Sequence, residues 1–323
     1  MTGRTLSITI DTEVDKSRDW SISNPATYRS VVEAVPRLLT PLFARYGGRP
    51  TYLVSPEVLD EPACVAALTR GGDQAELGAH LHVDFVDPGR TVHPGAMDGR
   101  RTDGIQAQLD RATEAAKLGN LTARFAAAFG RAPRAFRAGR FGRSAHTLDL
   151  LVDLGYVVDT SVTPGLRWRY AEGEIDYRGE PIEPHWVECR GGRILEAPVS
   201  IWPAGPLAPA LGALPRTVEL VGRRTLPRWA AYRWLRPSWG PPDRLAELAR
   251  AAPERHLVVM FHSTEAIPGA SPYARTPRDA DLVLERLERL LASWRAEGHS
   301  FCTLTELAEG LRTEPLPRAG ASG

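Results

Sequence analysis

The chain has 323 residues, of which 43% are hydrophobic and 24% are charged, and its formal net charge is +1 at pH 7. This length suits one large α/β barrel or two domains, and the near-neutral charge gives no indication of a nucleic-acid partner. The three cysteines are widely spaced and form no CxxC pair, which argues against a zinc ribbon or a disulfide framework.

The chain opens with a strand pattern, in which apolar residues alternate with Ser and Thr over residues 5–10. This strand leads into Asp11 and Glu13, which point to the same side if the extended conformation continues. Paired acids at a strand end are typical of a site at the carboxyl edge of a parallel sheet or barrel. The alternative is that these acids only cap the following turn.

Helices and strands then alternate along the chain. Helices are predicted at 26–46 (where prolines would kink or split the helix), 57–70, 104–129, 145–154, 244–251, 279–297 and 305–311. Further strands are predicted at 50–56, 76–83, 135–141, 156–161, 194–202, 256–261 and 301–304. Loops or irregular structure are predicted at 84–103 and 163–192.

This alternation indicates a parallel α/β architecture, and roughly eight strands suffice for a barrel of seven or eight strands. A doubly wound open sheet is the alternative. The first strand–helix turn lacks the GxGxxG pattern, which weakens a dinucleotide-binding fold.

A pair of histidines lies at the end of the strand predicted at 76–83. His80 and His82 are two residues apart, so both can face one way, and a carboxylate from another strand would complete a facial site for Zn²⁺ or another divalent ion. Asp84 continues the same phase and is the alternative ligand. An HxH pair alone is weak evidence, but this one precedes a long polar loop.

Two further strand ends carry residues that suit catalysis. Arg137, in the segment FRAGRFG, would hold a neighbouring carboxylate ionised if it is buried, and Gly139 and Gly142 would allow close backbone approach. An ordinary exposed arginine is the alternative. His262 ends an apolar strand and is either a core residue or a proton-transfer group. Asp159 ends another strand and is the candidate orienting partner of His262.

The segment 205–242 breaks the strand–helix rhythm and combines arginines with aromatic residues, namely Arg216, Arg223, Arg224, Arg228, Arg233, Arg236, Trp229, Tyr232, Trp234 and Trp239. Trp faces suit stacking on sugar rings, and guanidinium groups suit phosphate. One interpretation is an inserted cap that holds an anionic substrate, such as a nucleotide-linked or lipid-diphosphate-linked amino sugar. A Trp-rich satellite core or a dimer contact is the alternative.

Taken in order, these motifs resemble a divergent branch of the polysaccharide deacetylases of carbohydrate esterase family 4. In ITIDTE, Asp11 matches the catalytic base of the family, and Glu13 matches a ligand of its Asp-x-Asp variant. ELGAH matches the next motif through His80, with His82 as the second histidine. RAGRFG and VMFHS look like the arginine and histidine motifs of the family. The resemblance spans about Leu6 to Leu307.

The resemblance implies a distorted (β/α) barrel and removal of an acetyl group from an N-acetylated amino sugar, with one divalent ion, expected to be Zn²⁺. It implies that Asp11 is the base, that His262 is the acid that protonates the leaving amine, and that Arg137 holds Asp11. The metal ligands are expected to be Glu13, His80 and His82.

The resemblance also leads to the expectation that Arg140, Trp202 and Tyr273 bind the substrate, a small molecule or a glycan that could be linked to phosphate. Two other functions stay open. One is hydrolysis of another C–N amide bond, in a cyclic amide or formamide, on the same scaffold. The other is sugar binding without catalysis, against which the presence of both Asp11 and His262 argues.

Residues 1–312 are expected to form one domain, and 313–323 a frayed tail rich in Pro, Gly and Ser. No basic segment followed by an apolar run begins the chain, and no apolar stretch reaches the roughly 18 residues of a bilayer span. A cytoplasmic location is therefore expected. The oligomeric state is left open, with a homo-oligomer as one alternative.

Overall fold

A computed structural model describes residues 3–170, 173–205 and 232–313. The strands are β1 (Thr5–Thr12), β2 (Pro50–Val54), β3 (Glu76–Leu81), β4 (Ala135–Ala138), β5 (Val158–Asp159), β6 (Arg167–Tyr170), β7 (Gly173–Asp176), β8 (His185–Cys189), β9 (Gly192–Glu196), β10 (Ile201–Pro203), β11 (Tyr232–Trp234), β12 (His256–His262) and β13 (Ser300–Phe301). The helices are α1 (Thr40–Tyr46), α2 (Pro56–Leu59), α3 (Pro62–Thr69), α4 (Arg111–Phe129), α5 (Thr147–Asp153), α6 (Arg244–Ala251), α7 (Pro277–Ala296) and α8 (Leu304–Thr313), and a π-helix, Ser30–Leu39, precedes α1.

One curled sheet organises the described residues. Its strand order is β12-β1-β2-β3-β4-β5-β9-β8, with β13 paired to the start of β1. Neighbouring strands along this path are parallel, except that β8 runs antiparallel to β9. Eight strands in a curled, mostly parallel half-barrel confirm the predicted distorted (β/α) barrel.

The first strand pairs with β12 on one side and β2 on the other, and all of its residues are buried. One face of β1, with Leu6, Ile8 and Ile10, joins the main apolar core, to which α7 contributes Leu287 and Leu291. The other face carries Thr9 and Asp11 towards the inside of the curled sheet, where both contact Arg137 of β4. The alternation of apolar and polar residues in β1 therefore directs one set of side chains into the core and the other set towards the site.

The parallel register brings the ends of several strands together. Asp11, near the end of β1, pairs with His262, the last residue of β12. Further along the sheet, His80 of β3 is opposite Arg137 of β4. Parallel strands end at the same edge of a sheet, so side chains from distant parts of the sequence meet there.

Several element boundaries differ from the predictions. The strand predicted at 135–141 stops at Ala138, because Arg140 and Phe141 take left-handed conformations with φ of 57°. The helix predicted at 104–129 begins only at Arg111, where the Asp110 side chain caps its first turn. The π-helix surrounds Pro36, whose missing N–H cannot complete a regular helical turn.

The irregular stretch 163–192 in fact contains β6, β7 and β8, and the strand predicted at 194–202 is divided between β9 and β10. Much of the predicted cap at 205–242 lies outside the described residues, since these resume only at Tyr232, in β11. There β11 pairs antiparallel with β10, and the chain then brings Arg236 towards the end of β12. Among the described residues, the helices are all too short or too polar to cross a bilayer.

Candidate active site

A cavity of about 310 Å³ lies at the carboxyl ends of β1, β3 and β12. Its lining combines acids, histidines, cations and aromatic rings, including Asp11, Glu13, Lys16, Trp20, His80, His82, Arg101, Arg140, Phe141, Trp168, Tyr170, Arg236, His262 and Tyr273. A concave site of this composition is the usual place for a bound small molecule.

Asp11 lies at the base of this cavity and is held by a fully buried arginine. Arg137 donates to Asp11 Oδ1 over 2.6 Å, to Thr9 Oγ1 over 2.8 Å and to the Thr160 carbonyl over 2.9 Å. Burial raises the pKa of Asp11, but Arg137, followed by His80 and His262, outweighs burial and lowers that pKa below its usual value. Asp11 is therefore an ionised carboxylate with its Oδ2 directed towards the histidines.

Glu13 meets both histidines of the HxH pair. Its Oε1 lies 3.2 Å from His80 Nε2 and 3.1 Å from His82 Nε2. One potential ligand atom from each of the three residues can be chosen so that all lie within 4.8 Å of one another. Burial raises the pKa of Glu13, but His82, Lys16 and the histidine hydrogen bonds hold it well below its usual value.

The chemistry of this donor set fits a divalent cation. His80 Nδ1 lies 3.0 Å from the Arg137 carbonyl, to which it can only donate, so Nε2 presents its lone pair to Glu13. Two acceptors at that distance require a shared cation, either a proton or a metal ion. Burial lowers the pKa of His80, but the effect of Asp11 and Glu13 is larger, and the net pKa lies above its usual value. The two carboxylates therefore favour a positive charge at this position. Glu13, His80 and His82 thus form a candidate metal site.

His262 faces the same cavity from β12. Its Nε2 is 3.9 Å from Asp11 Oδ2 and 3.8 Å from Glu13 Oε1, and its other ring nitrogen, Nδ1, is 3.0 Å from Glu265 Oε1. Burial raises the pKa of Glu265, but Arg236 and His262 lower it to about 2. A buried carboxylate therefore accepts from His262 Nδ1 and orients Nε2 towards the cavity.

Glu265 was not predicted as a site residue, although the segment FHSTE shows an acid three residues after His262. Its side chain also accepts from the His262 backbone N–H over 3.0 Å, as an acid at the third position of a helical turn does. Arg236 and Ser238 donate to the same carboxylate. Two of its partners therefore come from the segment that follows β11.

Asp159 was wrongly predicted to orient His262. It is on β5, and four strands of the sheet separate β5 from β12. Its Oδ1 accepts from Ser161 over 2.6 Å, and its Oδ2 lies 3.6 Å from Arg143, which also binds Glu196 over 2.8 Å. Burial and the Asp159 charge raise the pKa of Glu196 well above its usual value despite Arg143. Glu196 therefore keeps its proton to a higher pH than an ordinary glutamate does.

Of the three expected substrate-binding residues, Arg140 and Tyr273 line the cavity. Trp202 does not line it among the described residues, because its indole donates instead to Glu254 over 2.8 Å. Tyr273 belongs to a series of touching rings, which we call the aromatic wall: Trp20, Tyr273, Trp239, Trp234, Trp168 and Phe141. At one end of the wall, the Trp20 ring centroid is 5.3 Å from that of His262.

The alternative ligand Asp84 does not belong to the candidate metal clusters of the described residues. Its two oxygens instead accept from Thr91 Oγ1 over 2.9 Å and the Gly104 backbone N–H over 3.1 Å, and so hold the following loop. The prediction of close approach at Gly139 is confirmed, because a Cβ there would lie 2.6 Å from the Leu81 carbonyl. His82 Nδ1 would be 3.1 Å from the same Cβ.

Comparison with known proteins supports the fold but gives little sequence similarity. No protein-family model and no curated protein matches the chain. A solved structure from Mycobacterium smegmatis, assigned as a polysaccharide deacetylase, is 16% identical, has a TM-score of 0.55 and is matched over 98% of this chain and 96% of its own. Another protein so assigned, from Pseudomonas aeruginosa PAO1, is 13% identical with a TM-score of 0.57, over 97% of this chain and 92% of its own.

A third solved structure, of PuuE allantoinase, is 13% identical with a TM-score of 0.56, and is matched over 97% of this chain and 92% of its own. These matches cover nearly the whole length of each chain, so the resemblance drawn from the motifs is confirmed at the level of the fold. The chain has the distorted barrel fold of the polysaccharide deacetylases and diverges strongly from them in sequence.

Proposed function

We propose that this protein is a metal-dependent hydrolase that removes an acetyl group from an N-acetylated amino sugar. The observation that carries the proposal is the arrangement around the cavity, where an arginine-held carboxylate and a carboxylate-held histidine flank a cluster of Glu13, His80 and His82. These are the parts that hydrolysis of an unactivated amide requires, namely a base, an acid and an electrophile.

Each protein group has a distinct role in this proposal. Asp11, whose Oδ1 is bound by Arg137, accepts a proton from the attacking water at Oδ2. As the C–N bond breaks, His262 donates a proton from Nε2 to the leaving amine, so that the products are acetate and the free amine. Glu13, His80 and His82 hold the divalent ion, expected to be Zn²⁺, which when bound supplies Lewis-acid polarisation of the acetyl carbonyl.

The cavity supports a substrate the size of a sugar unit. Its volume of about 310 Å³ lies at the small end of the range for ligand pockets. Four rings of the aromatic wall line this cavity and offer apolar faces of the kind that stack on sugar rings, namely Trp20, Phe141, Trp168 and Tyr273. Arg140 lines the same cavity and could bind an anionic group on the substrate. The arginine pair Arg223 and Arg224, invoked for a phosphate-linked substrate, lies outside the described residues.

Metal analysis of purified variants tests the first part of the proposal. We expect the wild type to bind about one equivalent of Zn²⁺ per chain and His80→Ala to lose it, because the variant removes a nitrogen ligand from a three-residue site. His93→Ala, at an exposed histidine, is the matched control and should retain the metal. Unchanged stoichiometric Zn²⁺ in His80→Ala would contradict the assigned ligands.

The reaction is tested by offering the Zn²⁺-loaded protein N-acetylglucosamine, N-acetylglucosamine 1-phosphate and a cyclic ureide. Release of acetate from either sugar supports the proposal, and preference for the phosphorylated sugar would support an anionic substrate. Turnover of the ureide alone would move the assignment to hydrolysis of a cyclic amide. Binding of the sugars without turnover, together with unchanged binding in Asp11→Asn, would favour a sugar-binding protein.

A further inference from the structure

A lysine that no motif predicted lies beside the candidate metal site. The side chain of Lys16 is 3% exposed, and its Nζ is 3.2 Å from Glu13 Oε2. The histidines occupy the other oxygen of the same carboxylate, Oε1. Glu13 therefore faces two histidine nitrogens on one side and an ammonium group on the other.

The position of Lys16 is fixed by the loop that follows β1. Its backbone N–H donates to the Ala270 carbonyl over 2.8 Å, and the residue bridges to Ile22 within the loop. Its side chain lines the cavity. Its Nζ is buried and makes no hydrogen bond of good geometry among the described residues, so the ion pair with Glu13 is its principal described interaction.

Buried charges at this site are already balanced before a metal ion is added. Arg137 compensates Asp11, Lys16 compensates Glu13, and the more distant Arg236 compensates Glu265. A divalent cation bound by Glu13 would therefore add two positive charges among carboxylates that already have cationic partners, close to an ammonium group. Repulsion between charges a few ångströms apart and shielded from water is strong enough, at the effective dielectric of protein sites of roughly ε ≈ 20, to change a binding constant by more than about tenfold.

We propose that Lys16 limits the affinity of the Glu13, His80 and His82 site for a divalent cation by competing with that cation for the Glu13 carboxylate. This inference rests on the metal site of the proposed function, but it concerns a residue to which that function gives no part. Lys16 would not touch the metal ion itself and would act on it only through the Glu13 carboxylate.

Calorimetric titration of metal-free protein with Zn²⁺ tests the inference without reference to activity. We expect Lys16→Met to bind Zn²⁺ at least roughly tenfold more tightly than the wild type, because the apolar side chain fills a similar volume and removes the competing charge. Lys16→Arg keeps the charge and should stay within about threefold of the wild type. Arg101→Met, at the exposed rim of the cavity, controls for a general loss of positive charge.

Unchanged or weaker binding by Lys16→Met, in a protein whose thermal unfolding is normal, would overturn the inference. So would equally tight binding by Lys16→Arg and Lys16→Met, since the effect would then be steric. The proposed function fails separately: if Lys16→Met binds Zn²⁺ and the wild type does not, Lys16 excludes the metal and the wild type is not a zinc hydrolase. If neither protein binds Zn²⁺, both proposals are wrong.

Discussion

At the scale of single residues, the site depends on carboxylates whose charge is held by a specific neighbour. Asp11 is held by Arg137, Glu13 by Lys16 and two histidines, and Glu265 by Arg236. Each acid is buried, and burial alone would raise its pKa. The neighbouring cations reverse that effect, so three ionised carboxylates coexist in and beside one cavity.

Glu265 is expected to act through His262 rather than on the substrate. We predict that Glu265→Gln lowers kcat by roughly tenfold to a hundredfold with little change in KM, because the acid loses the carboxylate that orients it. His262→Asn should cost about a hundredfold or more. Both variants should retain Zn²⁺, since neither residue is a proposed ligand.

The double variant His262→Asn/Glu265→Gln distinguishes orientation from an independent role. Groups that act as one unit give losses that do not add, so the double variant should be no slower than His262→Asn. If the loss of kcat in the double variant equalled the product of the two single losses, Glu265 would have a role independent of His262. Glu254→Gln, at an acid bonded to Trp202, is the control for removal of a carboxylate outside the cavity.

At the scale of elements, the ends of the parallel strands place the reactive groups, and this part was predictable. Alternation in residues 5–10 predicted β1, and an apolar run predicted β12. Parallel strands end at one edge, so Asp11, His80 and His262 were expected together. The partner of His262 was predicted wrongly because it comes from the helical turn directly after β12, whereas Asp159 lies on β5, which four strands separate from β12.

Contacts that depend on loops were not predictable from the sequence. Lys16 and Arg236 reach the site from segments whose course is set by turns and by long-range pairing, and neither segment has a periodic pattern. The left-handed conformations of Arg140 and Phe141 belong to the same class. They end β4 early and bring both side chains to the cavity.

Gly139 shows how closely β4 approaches β3 at the site. We predict that Gly139→Ala destabilises the protein by about 1–3 kcal/mol and weakens Zn²⁺ binding, because its Cβ would overlap the Leu81 carbonyl and displace His82. The matched control is Gly119→Ala inside α4, where a Cβ meets no other atom within 4 Å. That substitution should stabilise the protein by roughly 0.5–1 kcal/mol.

Denaturant unfolding of both glycine variants, with calorimetric titration of Zn²⁺, checks the prediction. If Gly139→Ala matched the wild type in stability and metal affinity, the tight packing between β3 and β4 would not be required for the site.

At the scale of the whole molecule, we propose that residues 1–312 form one domain, because the main apolar core joins residues from Leu6 to Trp294. Elsewhere among the described residues, the cluster of Asp159, Glu196 and Arg143 places two buried carboxyl groups beside one guanidinium. The pKa of Glu196 is raised by burial and by Asp159, so this cluster affects how stability depends on pH.

The sign of the effect follows from proton linkage. Glu196 has a higher pKa in the folded chain than in the unfolded chain, so its contribution to stability is complete below pH 4.5, its ordinary pKa, and is lost as pH rises through the raised value. Glutamine carries no titratable proton. We predict that Glu196→Gln gains stability relative to the wild type as the pH rises from about 5 to about 8.

Thermal unfolding across this pH range is the measurement, and the difference in Tm should grow with pH by a few degrees. Glu188→Gln, at an exposed acid on the adjacent β8, is the control and should give a constant difference. A difference for Glu196→Gln that is constant or shrinks with rising pH would mean that Glu196 is ionised in the folded protein.

The pairing of β1 with β12 has a consequence for the order in which the protein becomes competent during synthesis. The proposed metal ligands and the proposed base lie between residues 11 and 82, whereas the proposed acid is residue 262, on the strand that pairs directly with β1. A nascent chain emerges from its amino terminus, and long-range parallel pairing forms late. A growing polypeptide will therefore present the proposed base and ligands well before the proposed acid, so the proposed hydrolysis cannot begin until β12 has been synthesised and has paired with β1.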